Sequence, residues 1–201
     1  FEGNGVRLDG LDMRKGEGAM TGAAYVRWDA TYSGTLDGRD IAVESVATLA
    51  DPRVPLSGRL QFTLSGAGAF DLPRYELRGE IADLFISDES IGHVTGRVEV
   101  SEGVLTLEVE AASPRLAISG SGRVALTPEA EADLTFSVTN TSLDPYVRAF
   151  EPRLSPVTTA VASGTISVRG ELRNFDRLRV DGVIGQLDLS LFDYQVRNEG
   201  P

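Results

Sequence analysis

The sequence has no cysteine. Disulfides, thiolate metal sites and cysteine nucleophiles are therefore excluded together. His93 is the only histidine, so neither a multi-histidine zinc site nor a Ser-His-Asp triad elsewhere has the material it needs. Lys15 is the only lysine, and the chain carries 30 acidic against 19 basic side chains, a net charge of −11. A nucleic-acid surface is normally basic, so nucleic acid is not an expected partner. No apolar run approaches the roughly 20 residues that a membrane-spanning helix needs. Aromatic residues make up only 7% of the chain, too few to fill a wide core.

What is present is alternation. Leu60, Phe62 and Leu64 alternate with Arg59, Gln61 and Thr63; Leu105, Leu107 and Val109 with Thr106, Glu108 and Glu110. Leu134, Phe136 and Val138 alternate with Thr135, Ser137 and Thr139, Ile166 and Val168 with Ser167 and Arg169, and Leu187, Leu189 and Leu191 with Asp188 and Ser190. Ala24-Val26-Trp28, Leu84-Ile86, Val98-Val100, Leu116-Ile118 and Val124-Leu126 are shorter examples. Successive strand side chains point to opposite faces, so each segment reads as a strand with one apolar and one wet face. Leu36-Asp37-Gly38, Ser101-Glu102-Gly103 and Thr127-Pro128-Glu129 read as the turns between them, and His93, after Gly92, as a solvated turn residue. Links this short join adjacent antiparallel strands.

Two segments depart from this rhythm. Val43, Val46, Ala47 and Ala50 follow Asp40 at helical spacing until Pro52, with Asp40 as a plausible N-cap. Asp144-Pro145 opens a second short helix, with Tyr146, Ala149 and Phe150 on one face and Pro152 as its stop. Each is followed by similar text: Leu56-Ser57-Gly58 with Leu60 and Phe62, then Gly79-Glu80-Ile81, and later Ala162-Ser163-Gly164 with Ile166 and Val168, then Gly182-Val183-Ile184. The period is about a hundred residues, far longer than the 20–50 of common solenoids. Residues 1–57, 58–163 and 164–201 are therefore expected to be a partial, a whole and a partial module of one continuous sheet, extended by stacking. Phe1 at one end and Val196-Arg197-Asn198 at the other read as cuts within a longer chain.

Residues Leu143-Asp144-Pro145-Tyr146 through Pro152, Ser163-Gly164, the strand Thr165 to Leu172, and Val180-Asp181-Gly182-Val183-Ile184 resemble the AsmA-like/TamB superfamily of bacterial envelope proteins. Asn174-Phe175-Asp176 stands where the family pattern carries a proline. The resemblance implies a mainly β fold: an elongated, curved antiparallel sheet forming a U-shaped groove, with two short helices. It also implies an inner-membrane anchor outside these residues, a periplasmic span, and lipid transport in outer-membrane biogenesis.

The residues support a groove on their own. About fifteen large apolar side chains left in water would cost on the order of 20–45 kcal/mol at about 1.5–3 each, more than the roughly 5–15 kcal/mol net stability of a domain. A second sheet, a curled sheet or an apolar ligand must cover them. The expected lining is Leu60, Phe62, Leu64, Ile81, Leu84, Ile86, Val98, Val100, Leu105, Leu107, Val109, Val124, Leu126, Leu134, Phe136, Val138, Ile166, Val168, Leu187 and Leu189. The expected partner is phospholipid or another acyl-chain lipid. The alternative is a scaffold that pairs outer-membrane β-barrel strands along a free sheet edge.

No enzyme activity, cofactor or metal is expected. Gly66-Ala67-Gly68 and Gly120-Ser121-Gly122 lack the long helix a phosphate loop requires and read as turn or bulge glycines. Glu108 and Glu110 could form an acid/base pair, but their alternation with Leu107 and Val109 makes them the wet face of a strand. Asp37, Asp40 and Glu44 lack the dense oxygen spacing of a cation loop.

Overall fold

A computed structural model describes residues 3–46, 55–86, 89–114, 116–142, 159–191 and 194–198. They form one twelve-stranded sheet in which every strand pairs with its neighbour in sequence. The strands are β1 (Gly5–Lys15), β2 (Gly18–Arg27), β3 (Thr31–Ala42), β4 (Leu56–Ala69), β5 (Tyr75–Ile86), β6 (Glu89–Ser101), β7 (Val104–Ser113), β8 (Leu116–Ala125), β9 (Glu131–Ser142), β10 (Thr159–Glu171), β11 (Leu178–Leu191) and β12 (Tyr194–Arg197). All pairings are antiparallel. At about 4.8 Å between strands the sheet is roughly 50 Å across. It is open, with β1 and β12 as separate edges. The expected U-shaped curl is absent.

The short links behave as the alternation requires. Ser101 pairs with Val104 across Glu102 and Gly103, both with positive φ (54° and 74°), the two-residue hairpin turn whose twist matches the strands. Odd-numbered strands end at what we call the upper end of the sheet, and even-numbered strands at the lower end.

Several expected turns are strand instead. Leu36-Asp37-Gly38 lies inside β3, in unbroken register with Leu64, Thr63 and Phe62 of β4. His93 lies inside β6 opposite Ala112. Both glycine pairs are strand interior, Gly66-Ala67-Gly68 in β4 and Gly120-Ser121-Gly122 in β8, with no register shift beside them. Three of these glycines admit an aromatic ring where a side chain would stand. Phe62 lies over Gly38, Phe136 over Gly120 and Tyr75 over Gly66, an arrangement that restores the packing a strand glycine lacks.

Asp40 does not cap a helix. It sits in β3 at φ 52°, where the register against β4 shifts between Gly38 and Ile41. Aspartate is favoured at caps and at left-handed bulge positions for one reason, its short polar side chain. After it come only the 3-10 turn Val43–Ser45 and Val46, already extended. Ala47, Ala50 and Pro52, like the whole second helix from Asp144 to Pro152, lie outside the described residues.

The bulges gather toward the upper end. Asp83 (φ 50°), Gly92 (φ 88°) and Asn140 (φ 46°) join Asp40 there. The repeated Ser-Gly step also falls on shifts, Ser57-Gly58 between β4 and β5 and Ser163-Gly164 between β10 and β11. Most of the small buried core lies at this end: Val43, Ile91, Leu116, Ala160 and Ala162.

Thr141, 1% exposed, closes the ladder past one bulge. Regular β8–β9 pairing ends at Ile118–Val138. Beyond it the Thr141 hydroxyl accepts from the Ala117 N–H (3.1 Å) and lies within donating distance of the Thr139 carbonyl (3.1 Å). Ser163 Oγ accepts from the Asn140 N–H at 2.9 Å. Thr141→Val should leave the Ala117 N–H unpartnered and lower stability by about 1–3 kcal/mol, read as a lower urea midpoint at unchanged slope. An unchanged midpoint would show that the hydroxyl carries no structural weight.

Candidate functional site

The pairing register sorts the side chains of all twelve strands onto two faces. On one face, four rows run across the strands. The first is Leu36, Leu64, Leu77, Val98, Leu107, Gly122, Leu134, Val168 and Val180. The second is Gly38, Phe62, Gly79, Gly96, Val109, Gly120, Phe136, Ile166 and Gly182. The third is Ile41, Leu60, Ile81, Val94, Ala111, Ile118, Val138, Gly164 and Ile184. Gly34, Gly66, Tyr75, Val100, Leu105, Val124, Ala132, Gly170 and Leu178 form the row nearest the lower end. No charged side chain interrupts any of them.

The sequence-predicted residues fall on this face with one exception. Leu84 lies opposite Gly92 and Ile86 opposite Leu56 above the third row, and Leu187 and Leu189 face Ala162 and Ala160. The exception is Leu126. It lies beyond the end of β8, is 51% exposed, and its N–H bonds the Gly103 carbonyl; the alternation with Val124 breaks when the strand ends. Trp28 likewise lies past β2, in the β2–β3 loop.

The opposite face is polar. Glu76, Arg78, Arg97 and Glu99 form a cross-strand network, with Arg78 and Arg97 at 2.7 and 3.0 Å from the Glu76 carboxylate. Asp133 pairs Arg169 at 3.1 Å, and Thr63 donates to Asp37 at 2.9 Å. The Glu76 carboxyl is held below its ordinary value, chiefly by the Arg78 hydrogen bond. His93 Nε2 lies 3.9 Å from Glu80. Glu108 and Glu110 are exposed on this face. Among the described residues, no group of three or more His, Asp or Glu is placed to hold a metal ion.

Nothing among the described residues covers the apolar face, and most of its side chains are half-buried by their neighbours alone. The chain exposes 13547 Å², whereas a compact monomer of 21.5 kDa would expose about 9,200 Å² by the size scaling of folded proteins. Such a sheet has one layer where a globular domain has two. Comparison with protein-family models, curated proteins and solved structures finds no match for this chain.

Sequence reasoning missed single members of the rows, such as Leu77 and Val94, and two larger parts of the site. One is β1, whose Val6, Leu8, Leu11 and Met13 pair onto the apolar face opposite Val26, Ala24, Gly22 and Met20. The bulge between Leu8 and Leu11, with Gly10 at φ 68°, shifts the apolar positions from even to odd numbers and hides the alternation. The other is an aromatic cluster at the lower end. Tyr32 lies 5.2 Å from Phe70 and 5.5 Å from Tyr75, centroid to centroid. With Leu11, Met13, Val26, Leu36 and Leu64 the three rings line an apolar cavity of about 360 Å³. The Tyr75 phenol is held above its ordinary value, first by its hydrogen bond with Tyr32 and then by desolvation.

The β2–β3 loop beside this cavity is pinned by Asp29, whose carboxylate accepts from the Thr31 hydroxyl (2.6 Å) and N–H (3.1 Å). These bonds, the hydroxyl first, hold the Asp29 carboxyl below its ordinary 3.8. A depressed folded value means that the contribution is complete above the unfolded value and disappears as pH falls through the folded one. The emission of Trp28, the only tryptophan, should therefore be constant down to the ordinary carboxylate range and change only below it. In Asp29→Asn that acid transition should be missing. A transition retained in the variant would assign it elsewhere.

Proposed function

We propose that this chain is a lipid conduit, a segment of a longer envelope protein whose apolar sheet face shields acyl chains as phospholipid passes between the inner and outer membranes. The observation that carries this reading is the apolar face, whose rows run without a charged side chain from β3 to β11 and which nothing among the described residues covers. A face lined with aliphatic side chains binds acyl chains without selectivity, at about 0.8 kcal/mol per buried methylene. Transfer then requires a continuous apolar path and no bond chemistry, so no catalytic residue is assigned.

The resemblance to the AsmA-like/TamB superfamily supports the same reading. In it the open sheet presents its four apolar rows to the acyl chains, and modules of about a hundred residues stack to lengthen the apolar path. The full-length protein would be anchored in the inner membrane by a segment outside these residues and would cross the periplasm. The test is native mass spectrometry of the chain purified from bacterial envelopes. Bound phospholipid is the expected result. A lipid-free, monodisperse monomer that takes up no phospholipid from vesicles would overturn the reading.

A second reading, a scaffold for outer-membrane β-barrel assembly, has one observation in its favour. β12 pairs only with Asp188–Leu191, so the β11 backbone from Leu178 to Ile184 has no strand on that side among the described residues. A free edge of this kind templates strand addition. Crosslinking of a barrel-derived peptide to β11, in the absence of bound lipid, would favour it.

A further inference from the structure

The apolar and polar faces each carry a concavity at the lower end of β1–β6, and the two lie back to back. The apolar one is the aromatic cavity between Tyr32, Phe70 and Tyr75. The polar one is larger, about 800 Å³, and Arg7, Arg27 and Arg74 stand on its walls. Ala23, Ala24, Gly34 and Gly66 line both, because the sheet is thin where its side chains are small, and Tyr75 at the start of β5 also borders both. Here an amphipathic molecule can keep its tail on one face and turn its polar end around the strand ends to the other.

The charges at this turn suit an anion. The Arg7 and Arg27 guanidiniums pack over the Tyr25 ring at 5.1 and 5.3 Å from its centroid. Among the described residues, neither Arg27 nor Arg74 has a carboxylate within ion-pair distance, and Arg27 feels only the longer-range attraction of Asp29, a minor contribution to that carboxyl's lowered value. On the same wall, Glu76 and Glu99 are engaged by Arg97 at 3.0 and 3.6 Å, leaving Asp9 as the remaining carboxylate of the lining. Arg74 is fixed against the aromatic cluster, since the Tyr32 hydroxyl accepts from its N–H (3.1 Å) and donates to its carbonyl (3.2 Å). Trp28, 64% exposed, and Phe70 stand in the two loops beside it, the placement aromatic side chains take at the boundary between acyl chain and headgroup.

We infer that this rim seats the phosphate of a lipid headgroup, with Arg27 and Arg74 as its ligands and the Tyr32–Phe70–Tyr75 cavity holding the first methylenes of the tail. The inference rests on the conduit reading and adds where the headgroup rides. Guanidiniums bind phosphate oxygens through paired, charge-assisted hydrogen bonds. The rim therefore discriminates by phosphate, and the apolar rows do not.

The test uses Trp28 as a local reporter. The whole chain is titrated with palmitoyl lysophosphatidylglycerol and with monopalmitoylglycerol, which has the same tail and no phosphate, both below their micellar concentrations. The phosphate-bearing lipid should bind roughly ten-fold more tightly and shift Trp28 emission. Arg27→Ala/Arg74→Ala should reduce its affinity to that of monopalmitoylglycerol; both arginines are exposed, and circular dichroism checks that the fold is kept. Equal affinities, an unaffected double variant, or lipid retained by native mass spectrometry without any change at Trp28 would each overturn the rim and leave the conduit standing. Inorganic phosphate displacing the lipid at comparable concentration would also overturn it, by assigning the arginines to free phosphate. Failure of both lipids to bind at all would remove the conduit reading itself.

Discussion

Phe136→Asp and Leu107→Asp should each abolish most lipid transfer between donor and acceptor vesicles while lowering the urea midpoint only slightly. Both residues sit in the middle of the apolar rows, opposite Gly120 and Gly122 of β8, and both are half-buried in the free chain. An aspartate there stays hydrated as long as the face is open, so its folding cost is that of lost side-chain contact, on the order of 1 kcal/mol. Under an acyl chain the same carboxylate loses its water without gaining a partner, at a cost of several kcal/mol. Loss of function should therefore exceed loss of stability. Asp133→Asn on the polar face is the control and should leave transfer unchanged. Transfer that survives at Phe136 and Leu107 together would exclude this face as the path; unfolding of both variants would make it an ordinary core.

The second large effect is a contrast between two glycines of one row. A Cβ on Gly120 would stand 2.6 Å from the Phe136 ring and 3.0 Å from Val109. Gly120→Val must displace a half-buried aromatic ring, and the expected loss is about 1–3 kcal/mol. At Gly96 the nearest atom to such a Cβ is the Glu108 carbonyl oxygen, 3.6 Å away. Gly96→Val meets no obstacle and removes the backbone entropy that glycine carries in a strand, so it should stabilise by about 0.5–1 kcal/mol. The two variants should move the thermal midpoint in opposite directions. A loss at Gly96 matching that at Gly120 would show that the face is packed in solution against something that fills the space over β6. In the conduit reading that space belongs to the acyl chain, so Gly96→Val should also slow transfer while the fold becomes more stable.

The strands and their two faces were legible because each residue's neighbours on a strand are fixed by a period of two. Nineteen of the twenty expected lining residues share one face because strand after strand pairs in register. Reading was hardest where a bulge reset the period, although Ile81 and Leu84 on either side of one were both read as lining. Leu8 to Leu11 across Gly10, Gly38 to Ile41 across Asp40, and Ile81 to Leu84 across Asp83 each change parity without leaving the face. Asp40 was read as a cap because caps and bulges select the same short polar side chain. The aromatic cluster was out of reach, since Tyr32, Phe70 and Tyr75 come from β3, the β4–β5 loop and β5.

By itself, then, the sequence determined a mainly β chain of amphipathic antiparallel strands, without the thiol or histidine sets that redox and zinc chemistry need. Local periodicity and composition suffice for that. Tertiary structure decided that the strands form one open layer in sequential order, that no other described residue covers the apolar face, and that apolar and arginine-lined concavities meet at one rim. Those features depend on register and on how glycine and bulge positions line up between strands far apart in the chain, and no single stretch of sequence records that alignment.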